Sequence, residues 1–274
     1  MSELIKADLK RVLKDKLLLV LAILAVVFAL ITPLTFALVF SVIDVSDEPL
    51  LSSLVSAKGL FFQSFSMTNN MGFIAPILLA IVLYKDFSYG TVRNKIISGK
   101  SRSQIFLSTF IVCSLVLACV IMLSAFITLG VSLIFFDYQA TAFTLADLGY
   151  FFASLGFELL ILLFMSALLS LLCTCSKNLG IAIVLYLAFT FALTLVGSFT
   201  SVIGAVAQTL IDSELLTKVI KVIDRLNVGM ATSYIGTGDS YSLSDVLYLT
   251  LPALSGIAAF LGLGLFSFNK KDLK

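Results

Sequence analysis

Six stretches of this chain stay apolar for twenty residues or more: Leu17–Ile43, Phe65–Tyr84, Ile105–Phe136, Gly149–Cys175, Leu179–Val206 and Val246–Phe268. About 20 apolar residues in helical conformation cross a bilayer's ~30 Å hydrocarbon core. Inside that core every backbone N–H and C=O must find a partner within the protein. Only helices and closed barrels manage this, and a barrel strand needs only about 9–11 residues. Runs of this length therefore predict an all-α integral membrane protein with six transmembrane helices, forming one transmembrane domain over residues 1–274. Charged residues make up 12% of the chain against about 25% in soluble domains, which fits the same class.

The first run is too long for the roughly 7–15-residue core of a signal peptide, and no small-residue cleavage site follows it, so the N-terminus is expected to be retained. The four cysteines, Cys113, Cys119, Cys173 and Cys175, fall in apolar runs or at their edges. There they read as small hydrophobes rather than as disulfides or zinc ligands. The chain has no histidine, which excludes histidine-based acid/base catalysis and histidine metal sites. No metal site and no nucleic-acid partner are expected. Pro33, Pro76 and Pro252 each fall inside a run, where neighbouring groups must take up the carbonyl that proline cannot pair.

Alternate loops differ sharply in positive charge. One side collects Lys6, Lys10, Arg11, Lys14, Lys16, Lys85, Arg93, Lys95, Lys100, Arg102, Lys177, Lys270, Lys271 and Lys274, and the other only Lys58, Lys218, Lys221 and Arg225. Fourteen against four places both termini in the cytoplasm of a multi-pass protein of the cell membrane by the positive-inside rule.

Residues 1–16 place Ile5, Leu9, Val12 and Leu13 at helical spacing, with Lys6, Lys10, Arg11 and Lys14 on other faces. The expectation is an amphipathic helix in the headgroup plane, its lysines near anionic lipid; a plain extension of the first span is the alternative. On the outside, Asp44–Ser64 reads as a loop. Residues 207–245 read as an outside connection with an amphipathic helix, since Ile211, Leu215, Leu216, Val219, Ile220, Val222 and Ile223 alternate with charges at helical spacing. A Gly- and Ser-rich turn from Gly229 to Ser244 follows it.

Lys85–Arg102 is a mostly cationic island between the second and third spans, on the cytoplasmic side. Gly90 permits a bend, Thr91 can cap a short helix, and Gly99 can end it in the left-handed conformation. Ser101-x-x-Gln104 reads as a capping box opening the third span. The expected product is a rigid hairpin tip presenting Arg93, Lys95, Ile96 and Ile97 to the cytosol.

The pattern Asp86-x-x-x-Gly90-Thr91-x-Arg93, then Gly99-x-Ser101-Arg102-x-x-Ile105, resembles the cytoplasmic loop of ABC-2-type permeases, the membrane subunits of ABC exporters. The layout is similar too: an amphipathic N-terminal helix, six spans, a loop after the second and a helical outside segment between the fifth and sixth. The resemblance implies that this loop is a coupling helix seated on a separate ATPase subunit. It assigns Gly90, Thr91, Arg93, Gly99, Ser101 and Arg102 to coupling, with Asp86 and Tyr89 at the start of the helix. It also implies a second permease chain, identical or similar, and spans two and five facing a central seam. The sequence itself holds no phosphate-binding loop and no soluble stretch large enough for an ATPase, so ATP and Mg belong to the partner.

Thr190, Thr194, Ser198 and Ser201 form one hydroxyl stripe on the fifth span, and Ser66, Asn69 and Asn70 lie in the outer part of the second. These are candidate pathway-lining residues, although hydroxyls also serve as ordinary packing contacts between membrane helices. Glu158 is an acid deep in the fourth span, a functional candidate by its cost there, with a structural role as the alternative through a shifted span boundary, a protonated side chain or an interhelical hydrogen bond. The expected function is the permease of an ATP-driven exporter of a hydrophobic or amphipathic peptide, lipid or drug. A non-transporting sensor or assembly module with the same coupling, and a proton-coupled carrier relaying through Glu158, are the alternatives.

Overall fold

A computed structural model describes residues 1–42, 56–66, 74–88, 91–136, 144–176, 178–206, 218–220, 222–223, 226–231, 235–236 and 240–270. Among these the protein is all-α, with no strand: α1 (Ser2–Leu13), α2 (Lys16–Val42), α3 (Ala57–Gln63), α4 (Ile74–Ser88), α5 (Thr91–Ile97), α6 (Arg102–Phe135), α7 (Leu145–Cys175), α8 (Leu179–Val206), α9 (Val228–Ala231) and α10 (Leu243–Lys270). Five of them, α2, α6, α7, α8 and α10, are long and apolar enough to cross a membrane, so the chain is a multi-pass membrane protein.

These five coincide with expected spans to within a few residues. The second expected span differs. Within the described residues it is represented by α4, Ile74–Ser88, while Phe65 and Ser66 follow α3 in a turn. Pro76 lies within α4.

Local chemistry fixes where the spans begin. Ser101 and Gln104 form a reciprocal capping box at α6, and Thr144 with Asp147 does the same at α7. Asn178 Oδ1 accepts the Ile181 N–H at 2.9 Å to start α8, and Ser242 pairs with Asp245 to start α10. Each such cap contributes about 1 kcal/mol and satisfies N–H groups that the helix cannot.

α7 is the centre of the bundle. Its buried positions include Phe157, Ile161, Leu162, Phe164, Met165, Leu168 and Leu169, and α10, α6, α8 and α4 all pack against it. α10 approaches it closely at Gly256, where a Cβ would lie 2.2 Å from the Phe164 ring. α2 packs mainly on α6. Pro33 leaves the Ala29 carbonyl without its helical donor, and the Thr128 hydroxyl of α6 donates to that carbonyl at 3.3 Å. A neighbour thus supplies the bond that proline removed.

The loop expected over Asp44–Ser64 is corrected within its described part. Ser56 caps α3 by accepting the Gly59 N–H at 3.0 Å, and Ala57, Leu60, Phe61 and Phe62 are buried. Phe61 stacks on Phe151 at 5.7 Å, Phe65 meets Phe151 edge-on, and Phe62 meets Tyr150. Each aromatic pair adds roughly 0.5–1.5 kcal/mol, enough to hold a short segment against the bundle. Lys58 pairs with Asp147 at 2.5 Å, tying α3 to the start of α7.

Most of the amphipathic helix expected within 207–245 lies outside the described residues. The expected turn after it is partly helical: α9 packs on α8, and Asn227 Nδ2 donates to the Leu193 carbonyl at 2.8 Å. Gly236, at φ +77°, sits so close to the Phe62 carbonyl that a Cβ would lie 2.1 Å away. Tyr241 stacks on Tyr150 at 4.7 Å, and its hydroxyl lies 2.7 Å from Ser154 Oγ. Two connections thus meet over one end of the bundle, the Lys58 end.

Candidate functional site

The opposite end, around Lys85, carries the island and builds a compact junction. α5 spans seven residues and closes with a Schellman motif: Gly99 N–H donates to Ile96 O at 2.9 Å and Lys100 N–H to Lys95 O at 3.1 Å. Gly99 adopts φ +84°, the left-handed conformation that glycine takes without cost. Two residues later the Ser101 box starts α6. The tip therefore has no slack on its exit side.

Only part of the expected tip surface faces outward. Arg93, Asn94, Ile97 and Ser98 are exposed, Ile97 at 75%. Lys95 and Ile96 turn inward, a correction that follows from the phase of the helix. Val92 and Ile96 share one face one turn apart, and that face packs with Leu4, Ile105, Phe106 and Phe268 in a small apolar cluster. Lys95, next to Ile96, is drawn in by an acid.

That acid is Asp8 of α1, only 2% exposed. Its Oδ1 lies 2.6 Å from Lys95 Nζ, and its Oδ2 accepts the Ser108 hydroxyl of α6 at 2.8 Å. One carboxylate thus joins α1, α5 and α6. Removing one partner of such a buried pair leaves a stranded charge, at a cost of about 3–5 kcal/mol. The protein-facing side of α1 is accordingly Leu4, Asp8 and Val12, with Ile5 and Leu9 packed at its flank, whereas Leu13 is 60% exposed. The expectation of an apolar face made by Ile5, Leu9, Val12 and Leu13 is corrected: an acid paired across the junction occupies its centre.

A second ion pair repeats the arrangement. Lys85, in the last turn of α4, lies 2.8 Å from Asp15, whose Oδ1 also accepts the Leu17 N–H at 3.0 Å where α2 begins. Burial raises the Asp15 carboxyl. The Lys85 hydrogen bond, the Leu17 N–H and the charges of Lys85 and Arg11 outweigh it and hold Asp15 below the ordinary aspartate range. Burial lowers the Arg11 guanidinium from its usual value, opposed first by the charge of Asp8.

Arg102 faces the end of α10. Its Nη1 donates to the Asn269 carbonyl at 2.9 Å and to Phe268 O at 3.4 Å, satisfying carbonyls of a helix C-terminus. Arg102 and Ser101 thus hold the junction together, and Arg93 is the outward-facing arginine. Thr91 is the first residue of α5. Asp86 lies on α4, and Tyr89 and Gly90 lie outside the described residues.

Of the candidate pathway residues, Ser66, Thr190, Thr194 and Ser198 have described side chains. Thr190 is buried and Ser198 exposed. Thr190 donates to Leu187 O at 3.0 Å, Thr194 to Phe191 O at 2.8 Å and Ser198 to Thr194 O at 2.9 Å, each bonding its own helix. Thr190 and Thr194 line a shallow groove with Val184, Leu187, Ala188 and Phe191 on the outer side of α8. Ser201 lies on α8, and Asn69 and Asn70 fall outside the described residues. Ser66 is buried in a turn after α3, not in a span, its N–H donating to Gln63 O at 2.9 Å. Glu158 is fully buried in α7, one helical turn from the Ser154–Tyr241 contact. Asp8 and Asp15 are the residues that sequence reasoning missed.

No protein-family model matches the chain, and no curated protein matches it at a significant level.

Proposed function

We propose that this protein is the permease subunit of an ATP-driven exporter, in which a separate ATPase seats on the α5 tip and drives the helices joined to it. The observation that carries this reading is the tip itself: a short helix closed by a Schellman motif, followed at once by a capped long helix, exposing Arg93, Asn94 and Ile97. A surface held this stiffly transmits displacement to α4 and α6 instead of absorbing it. An exposed arginine beside an exposed isoleucine offers the charged and apolar contacts of a protein-docking surface.

In this reading the Lys85 end is cytoplasmic, α4 belongs to a sixth membrane segment, and a second permease chain completes the pathway. The substrate is a hydrophobic or amphipathic peptide, lipid or drug, and ATP and Mg bind the partner subunit. The Gly-Thr-x-Arg and Gly-x-Ser-Arg spacing that resembles ABC-2-type permeases supports the same assignment.

The test is recovery of an ATPase with the purified chain, followed by transport in proteoliposomes containing both. ATP-dependent flux supports the exporter, and ATPase binding without flux indicates a sensor or assembly module. Gradient-driven flux without ATP that is lost in Glu158→Gln indicates a carrier relaying protons through that buried acid.

A further inference from the structure

α1 has three sectors: one is buried in the bundle, one packs partly against it, and one is fully exposed. Leu4, Asp8 and Val12 face the protein, and Ile5, Leu9 and Leu13 run along one flank. Lys6, Lys10 and Lys14 follow at successive intervals of four residues, all exposed, on the side opposite Asp8. No ion pair among the described residues involves these three lysines. Two residues separate the end of α1 from Lys16, where α2, the first helix apolar enough to span, begins, and Leu13, Leu19 and Val20 are exposed around that point. The cationic row therefore lies at headgroup depth, beside exposed apolar side chains that mark the hydrocarbon edge.

We propose that Lys6, Lys10 and Lys14 form a binding face for anionic phospholipid headgroups, and that lipid bound there sets the position of the α5 tip through Asp8. Charge complementarity and depth select the occupant: a soluble acidic protein would have to reach a row bordered by hydrocarbon, whereas phosphate headgroups already lie at that level. The mechanical link is the carboxylate that meets Lys95 at 2.6 Å and Ser108 at 2.8 Å. Pulling α1 toward the headgroups displaces Lys95 and with it α5. Reciprocity then requires that a partner seated on the tip change the affinity of α1 for lipid by the same factor. The importance of this for ATPase coupling rests on the exporter reading; the lipid response of the tip does not.

The experiment uses the full chain without any ATPase, in nanodiscs of phosphatidylcholine with increasing phosphatidylglycerol at fixed ionic strength. Amide exchange over residues 91–100 reports the tip, and Ile97→Trp gives a second signal in a chain that has no native tryptophan. Exchange is expected to slow as phosphatidylglycerol rises, with the half-effective fraction increasing about fivefold per lysine changed to Gln. The Lys6→Gln/Lys10→Gln/Lys14→Gln protein should show no response at the same thermal midpoint. Asp8→Asn should still retain phosphatidylglycerol on purification but lose the tip response, and Lys95→Gln should reproduce that result. The proposal is overturned if exchange is the same in both lipids, if the triple-Gln protein still responds, if both Asp8→Asn and Lys95→Gln respond like the native chain, or if soluble polyglutamate reproduces the effect in neutral nanodiscs.

Discussion

Asp8 and Lys95 lie 87 residues apart in the chain and 2.6 Å apart in the fold, with the Asp8 carboxylate shared between Lys95 and Ser108. The N-terminal helix, the tip and the start of the longest span thereby meet at one buried group.

Replacing either member alone should be costly. Asp8→Ala or Lys95→Ala is expected to destabilise the junction by about 3–5 kcal/mol, because each strands the other's charge. The Asp8→Leu/Lys95→Met double variant should recover much of that loss. Chemical or thermal unfolding in detergent of all three variants, read as a double-mutant cycle, measures the coupling.

The Asp15–Lys85 pair gives the junction a pH dependence with a defined sign. A carboxyl held below its unfolded value of about 3.9 stabilises the fold above that pH and loses the contribution as pH falls through the lower folded value. Amide exchange over residues 14–18 and 84–88 should accelerate below about pH 4. In Asp15→Asn that acceleration should be absent and exchange fast throughout.

Gly256 should tolerate nothing larger. A methyl group there meets the Phe164 ring at 2.2 Å, and that ring is already buried between α7 and α10. Gly256→Ala is expected to cost roughly 1–3 kcal/mol through overpacking. Gly262→Ala on the same helix meets nothing within 4 Å and should leave the unfolding midpoint unchanged.

Gly236→Ala should loosen the Lys58 end. Its backbone at φ +77° disfavours a side chain, and the new Cβ would fall on the Phe62 carbonyl. The expected result is faster protease cleavage near residues 228–241, with the Lys85 end unaffected.

The two arginines of the island should separate by phenotype. Arg93→Glu alters only an exposed group, so it should abolish ATPase recovery at unchanged thermal stability. Arg102→Glu removes the donor to Asn269 O and should also lower the unfolding midpoint. Equal ATPase recovery from native and Arg93→Glu proteins would remove the tip from the docking surface.

Five spans were legible because each is a long apolar run with a cap chemistry written beside it, as at Ser101-x-x-Gln104. α3 was not. Seven residues that include Lys58 and Gln63 show neither length nor period, and what makes them a helix is the aromatic surface of Phe151 and Tyr150, far away in sequence. The left-handed stop at Gly99 could be read locally. The inward turn of Lys95 could not, because it depends on an acid on another helix. In the sequence nothing distinguishes Asp8 from the other polar residues of 1–16, and only packing shows that it faces the bundle.

The hydroxyl that serves Ala29 carries a consequence for leverage. Thr128 stands 26 residues up α6 from Arg102, about 39 Å by helical rise. If α6 pivots near its base as a stiff rod, a tilt of about 5° sweeps Thr128 sideways by roughly 3 Å. The carbonyl that Pro33 frees is bonded by that hydroxyl, so such a tilt would carry the partner of Ala29 away by about the width of a side chain.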